Sequence, residues 1–116
     1  MTIDKSVPFS SEQVTITIEG NITGSAVETL QPLFEGAVSR CTSGAPVLSI
    51  DLRKTEIVDS RGLGLLIRTY KELVVRKNGR IQLVNVSPDL MTIFKNVNLD
   101  RHFELIPQTI SSPSGV

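Results

Sequence analysis

Tryptophan is missing from this chain, and its 116 residues include one cysteine, one histidine and one tyrosine. With Cys41 alone, no intramolecular disulfide can form, and a free cysteine on an apolar helical face behaves as a small buried hydrophobe. His102, between Arg101 and Phe103, has no neighbouring His or Cys at metal-ligand spacing, so no metal site is expected. A Ser–His–acid triad would have to bring Ser60 and His102 together across the chain, and His102 reads instead as a solvent-facing residue. Neither sign of charge prevails: 12 basic residues face 12 acidic ones, which argues against a dedicated nucleic-acid binder. Apolar residues are 40% of the chain, yet no run approaches the ~20 residues that span a bilayer. The polar start Met1-Thr2-Ile3-Asp4-Lys5 is unlike a signal peptide. These absences leave a cytoplasmic protein without a cofactor, a direct nucleic-acid partner or a membrane. It is expected to form one domain over 1–116, with 107–116 a flexible tail.

What is present is periodic. A weak first strand is expected from Ile3 to Phe9, at a sheet edge because of Pro8. Val14, Ile16 and Ile18 alternate with polar residues, the pattern of a half-buried strand that Gly20-Asn21 ends. From Ser25 to Cys41, Val27, Leu30, Phe34, Ala37, Val38 and Cys41 share one helical face. Val47 to Leu52 reads as a strand. Leu63, Leu66, Ile67, Tyr70, Leu73 and Val74 then mark a second amphipathic helix, stopped at Lys77-Asn78-Gly79 with Gly79 in the left-handed cap. Arg80 to Val86 is a strand. Ser87 caps a third helix with Pro88 in its first turn, burying Leu90, Ile93, Phe94 and Val97. A last strand spans Phe103 to Ile106. The order is β-β-α-β-α-β-α-β, an α/β fold with a mixed sheet of about five strands covered by helices.

The most informative run is Ile57-Val58-Asp59-Ser60-Arg61-Gly62-Leu63-Gly64-Leu65-Leu66-Ile67. A strand-like stretch ends at Asp59, and two glycines open a helix. Either Asp59 or Ser60 is expected to cap that helix. At a helix start, unpaired amides and the helix dipole favour negative charge, so a phosphate on Ser60 would be tolerated while changing the surface by nearly two charges. Gly62 and Gly64 each cost helix propensity of ~1 kcal/mol, which points to a close approach of backbone or partner at the helix start. They are not a dinucleotide loop, since Ile67 stands where a third glycine would be and no phosphate-loop lysine follows.

Together with Gly20-Asn21-Ile22-Thr23, Val47-Leu48-Ser49-Ile50-Asp51-Leu52, Arg80-Ile81-Gln82-Leu83-Val84-Asn85-Val86 and Leu90-Met91-Thr92-Ile93-Phe94, this run resembles the STAS domain family. It is most similar to that family's bacterial anti-sigma factor antagonists, over about Val14 to Ile106. The resemblance implies a STAS fold and a non-enzymatic switch in transcription regulation. The unphosphorylated antagonist binds an anti-sigma factor that is also a serine kinase, and phosphorylation of Ser60 releases it. A PP2C-type phosphatase resets Ser60. The partner-binding residues so implied are Asn21, Ile22, Thr23, Asp59, Ser60, Arg61, Gly62 and Gly64. Thr23 stands where the family often has Asp, and Arg61 where Ser or Thr is commoner. A homodimer is left open. The competing readings are a STAS scaffold or ligand-binding module without serine phosphorylation, and a small enzyme using Asp59 and Ser60.

Overall fold

A computed structural model describes residues 13–42 and 44–108. β1 (Gln13–Thr17), β2 (Val47–Asp51), β3 (Arg80–Val86) and β4 (Glu104–Pro107) form a sheet in sequence order, all three neighbouring pairs parallel. Parallel neighbours need crossovers, supplied by α1 (Gly24–Arg40), α2 (Ser60–Tyr70) and α3 (Pro88–Asn96). Each crossover steps to the next strand in the same direction, and the hand of such units is nearly invariant, so the helices share one face of the sheet. Ile16, Leu48, Ile50, Ile81 and Leu83 meet Phe34, Ala37, Leu66, Leu73, Leu90 and Phe94 there in one core.

The expected mixed, roughly five-stranded sheet is a four-stranded parallel one among the described residues. The additional strand expected at Ile3 to Phe9 lies outside them. The opposite sheet face is polar and carries a hydrogen-bonded row across all four strands. Gln13 Nε2 donates to Ser49 Oγ (2.9 Å), Ser49 Oγ to Gln82 Oε1 (2.8 Å) and Gln82 Nε2 to Glu104 Oε1 (3.0 Å), and Arg80 pairs with Glu104. Ser49 can therefore be buried without leaving its hydroxyl unsatisfied.

Helix details depart from the periodic reading in instructive ways. α1 runs through Pro32, which is exposed, so the carbonyl left without its donor is on the solvent side. After Tyr70 the second helix widens into a π turn, Lys71–Val75, which shifts the helical phase. Leu65 and Thr69 are buried beside Leu66, whereas Ile67 is 42% exposed. The left-handed residue at the end is Asn78 (φ 58°). Gly79 is there for space: a Cβ on it would come 2.8 Å from both Leu73 Cγ and Pro46 O. On α3, Ser87 Oγ accepts from Leu90 N as expected, but Ile93 and Val97 are exposed and Leu99 completes the core. Of the stretch expected as a tail, Pro107 pairs with Val86 and Gln108 N donates to Val86 O; residues 109–116 lie outside the described residues.

Candidate functional site

The C-terminal ends of parallel strands and the starts of the helices that follow them lie at one end of the sheet. Here the loops after β1 and β2 meet. Asn21 Oδ1 accepts the amides of Glu56 (2.9 Å) and Ile57 (3.0 Å), and Thr55 Oγ1 donates to Gly20 O (2.7 Å). The strand expected before Asp59 is reduced to a single parallel bridge, Ile22 to Val58. Asn21 has already taken the amides of residues 56 and 57, which limits a longer ladder. The bridge bonds are Ile22 N to Ile57 O (3.0 Å) and Asp59 N to Ile22 O (3.2 Å).

Asp59 is the N-cap of α2, and its carboxylate serves two helices. Oδ1 accepts from Gly62 N (2.9 Å) and Oδ2 from Gly24 N (2.8 Å), the first amide of α1. These amides, Gly62 foremost and then Gly24, hold its carboxyl below the ordinary value of 3.8. Thr23, at the N-cap position of α1, makes no capping bond, and its hydroxyl lies 3.3 Å from Ser25 Oγ. Asp59 thus does for α1 what Thr23 does not. Gly24 was not singled out from sequence. The available signal was a helix start with no acid in its first turn, whose amides need an acceptor from elsewhere.

Gly62 and Gly64 have different reasons. A Cβ on Gly62 would sit 2.0 Å from Ile22 O, so the crossing of the two loops requires glycine there. Nothing lies within 4 Å of a Cβ on Gly64, which is exposed on α2; the close approach expected of both glycines holds for the first. Ser60 is the first residue of α2 and exposed, and among the described residues its hydroxyl has no hydrogen-bond partner. Arg61 is exposed beside it and lays its stem over Gly24. A groove of about 370 Å³ between α1 and α2 opens next to Gly24, Glu28, Arg61, Gly64 and Arg68. The structure thus brings Asn21, Ile22, Thr23, Asp59, Ser60, Arg61 and Gly62 together, with Gly64 one turn along α2. Ile22 and Gly62 are buried and can only position the others.

Among the described residues, no group of three or more His, Cys, Asp or Glu is placed to hold a metal, and no helix is long and apolar enough to cross a membrane. Cys41 is buried, and His102 is exposed with its ring 5.0 Å from that of Tyr70.

The model of the STAS domain matches residues 4–112. The chain belongs to the STAS domain family. No curated protein sequence matches this STAS domain closely enough to count as a relative. Its fold is similar to that of an anti-sigma-factor antagonist (STAS) domain protein from Planctomyces limnophilus (TM-score 0.70, 20% identity, 82% of each chain covered). It is also similar to a sulfate transporter family protein from Wolinella succinogenes (0.65, 16% identity, 88% of this chain and 80% of that one). A third similar structure is the Bacillus cell fate determinant SpoIIAA in its phosphorylated form (0.59, 22% identity, 90% and 89%). At these identities the likeness is one of fold.

The shared cap of this STAS domain predicts a pH-dependent stability. A carboxyl whose folded pKa lies below its unfolded value contributes stability above the unfolded pKa and loses it as pH falls through the folded one. Asp59→Ala is therefore expected to lower the melting temperature at pH 7. The gap to wild type should narrow as pH falls below 3.8. Thermal unfolding of both proteins from pH 7 to pH 3 checks this; a gap that stays constant with pH would show that the charge of Asp59 has no part in capping.

Proposed function

We propose that this STAS domain is an anti-sigma factor antagonist without enzymatic activity of its own, switched by phosphorylation of Ser60. The observation that carries the reading is Ser60 itself: exposed, unengaged among the described residues, and fixed in place by an Asp59 bonded to two helices. Proteins of similar fold support it: the anti-sigma-factor antagonist domain protein from Planctomyces limnophilus, and the anti-sigma factor antagonist SpoIIAA, known in both unphosphorylated and phosphorylated forms. The kinase is the anti-sigma factor bound to this surface. Ser60 Oγ attacks the γ-phosphate of ATP, the new O–P bond forms as the bond to ADP breaks, and the hydroxyl proton leaves to a base on the kinase. A dianion then stands on the docking surface, where it repels acidic partner groups and adds desolvation cost. A PP2C-type phosphatase restores the hydroxyl. On this reading the protein acts in the cytoplasm, in transcription regulation. Incubation with candidate anti-sigma kinases and ATP, read by intact mass, tests the reading: one added phosphoryl group that Ser60→Ala abolishes supports it, and no mass gain with any of them counts against it.

Thr23 favours a second reading, a STAS module without serine phosphorylation, because neither Thr23 nor the first turn of α1 supplies a carboxylate. Thr23→Asp separates the two. It is expected to raise the single-turnover rate of Ser60 phosphorylation and to change stability by no more than about 0.5 kcal/mol, as for most surface substitutions. An unchanged rate would make Thr23 a neutral substitution.

A further inference from the structure

We propose that Arg61 is a clamp for the phosphate on Ser60 within the same chain, so that phosphorylation withdraws a cation from the docking surface as well as adding an anion. The inference rests on Ser60 being a phosphoacceptor and adds the group that receives the phosphate. Three observations meet at this residue. Among the described residues the Arg61 guanidinium forms no ion pair and no hydrogen bond; its charge acts on Asp59 through space, both oxygens of that carboxylate being engaged by the Gly62 and Gly24 amides. The Arg61 stem is seated where Gly24 lacks a side chain: a Cβ there would lie 2.8 Å from Arg61 Cδ, 3.5 Å from its Nη1 and 3.7 Å from Asp59 Oδ2. The guanidinium is thereby kept at the junction of the two helices. Finally, Arg61 follows Ser60 directly, and although consecutive helical side chains do not face each other, the long arginine side chain can swing from its seat over Gly24 to reach a phosphate on the neighbouring residue.

The chemistry favours arginine at this place. Its planar fork offers paired N–H donors that match two phosphate oxygens, whereas a lysine acts as a point charge. Among the described residues, the other charged groups around the junction are Asp59, Glu28 and Arg68. Before phosphorylation, Arg61 is exposed at the junction, without an ion pair or hydrogen bond among the described residues, and suited to a carboxylate on the docking partner. After it, the same donors turn to the phosphate. The partner then loses its cation and meets an anion in one event.

The test installs phosphoserine at position 60 by genetic encoding, so no kinase is needed, and follows the phosphorus-31 NMR shift with pH. Free phosphoserine has a second pKa of about 6. The encoded protein is expected to titrate below that. Arg61→Gln should move the midpoint up by about half a pH unit or more, with Arg61→Lys in between. Asp59, Glu28 and Arg68 are the same in all three, and the exposed position makes loss of folding easy to exclude by melting temperature. Equal midpoints for wild type and Arg61→Gln overturn the clamp, and a lysine variant indistinguishable from wild type overturns the paired-donor geometry. Failure of the phosphoacceptor reading shows differently: unmodified protein then gains no mass with any anti-sigma kinase, whatever the encoded phosphate does.

Discussion

Replacing Gly62 by alanine is expected to destabilise the fold by about 4 kcal/mol, in the range that only a few named mechanisms reach. The new Cβ would lie 2.0 Å from Ile22 O and 2.9 Å from Ile22 C, and backbone cannot swing aside as the tip of a side chain can. Relief requires the loop after β1 and the start of α2 to separate. That breaks the Ile22–Val58 bridge and pulls Asp59 from Gly24. Gly64→Ala, two residues on, should do the reverse and stabilise by about 1 kcal/mol, because the site is open, exposed and helical. Urea unfolding of the two variants gives both numbers. A Gly62→Ala protein as stable as wild type would mean that the two segments do not cross this closely.

Ser60→Ala is expected to remain folded and to bind the anti-sigma partner whether or not ATP is present. Alanine is a good helix residue, and the serine hydroxyl gives up no bond among the described residues. Wild-type protein under phosphorylating conditions should bind between about 5- and 150-fold more weakly than the alanine variant, the span that one coupling of this kind usually covers. Ser60→Asp should fall between, since one carboxylate imitates a dianion poorly. Calorimetry with the purified kinase, with and without ATP, reads all three. If wild type and Ser60→Ala bound equally after complete phosphorylation of the wild type, Ser60 would not be the switch.

Much of this architecture was legible in the residues. Alternation in Val14–Ile16 and the Ser87-Pro88 start of α3 are local signals, and local signals survive folding. A cap at Asp59 or Ser60 was legible for the same reason, and it is Asp59 that bonds the amide three residues on. Its second bond, to Gly24, joins residues 35 apart in sequence, and nothing in the spacing announces it. Ile67, Ile93 and Val97 were misplaced for another reason. A hydrophobic face drawn from an ideal period takes in every apolar residue near it, whereas those at its margin stay exposed, and the π turn at Lys71–Val75 shifts the phase between the two ends of the second helix. The two glycines after Ser60 look alike in sequence, and only the passing carbonyl of Ile22 tells them apart.

The Asp59 bond has a counterpart at the far end of α1, where Lys77 Nζ donates to Val38 O (2.9 Å) and Cys41 O (3.2 Å). Both clasps come from the α2 side, an anion at the start of α1 and a cation at its finish, each matching the helix dipole. Two fasteners so far apart make a joint that neither swivels nor slides: a one-turn slip of about 5.4 Å would open both. Ser60 is thus mounted on a rigid pair of rods. In the proposed switch, phosphorylation would change the electrical sign at a fixed address, for a partner to read without waiting for the scaffold to move.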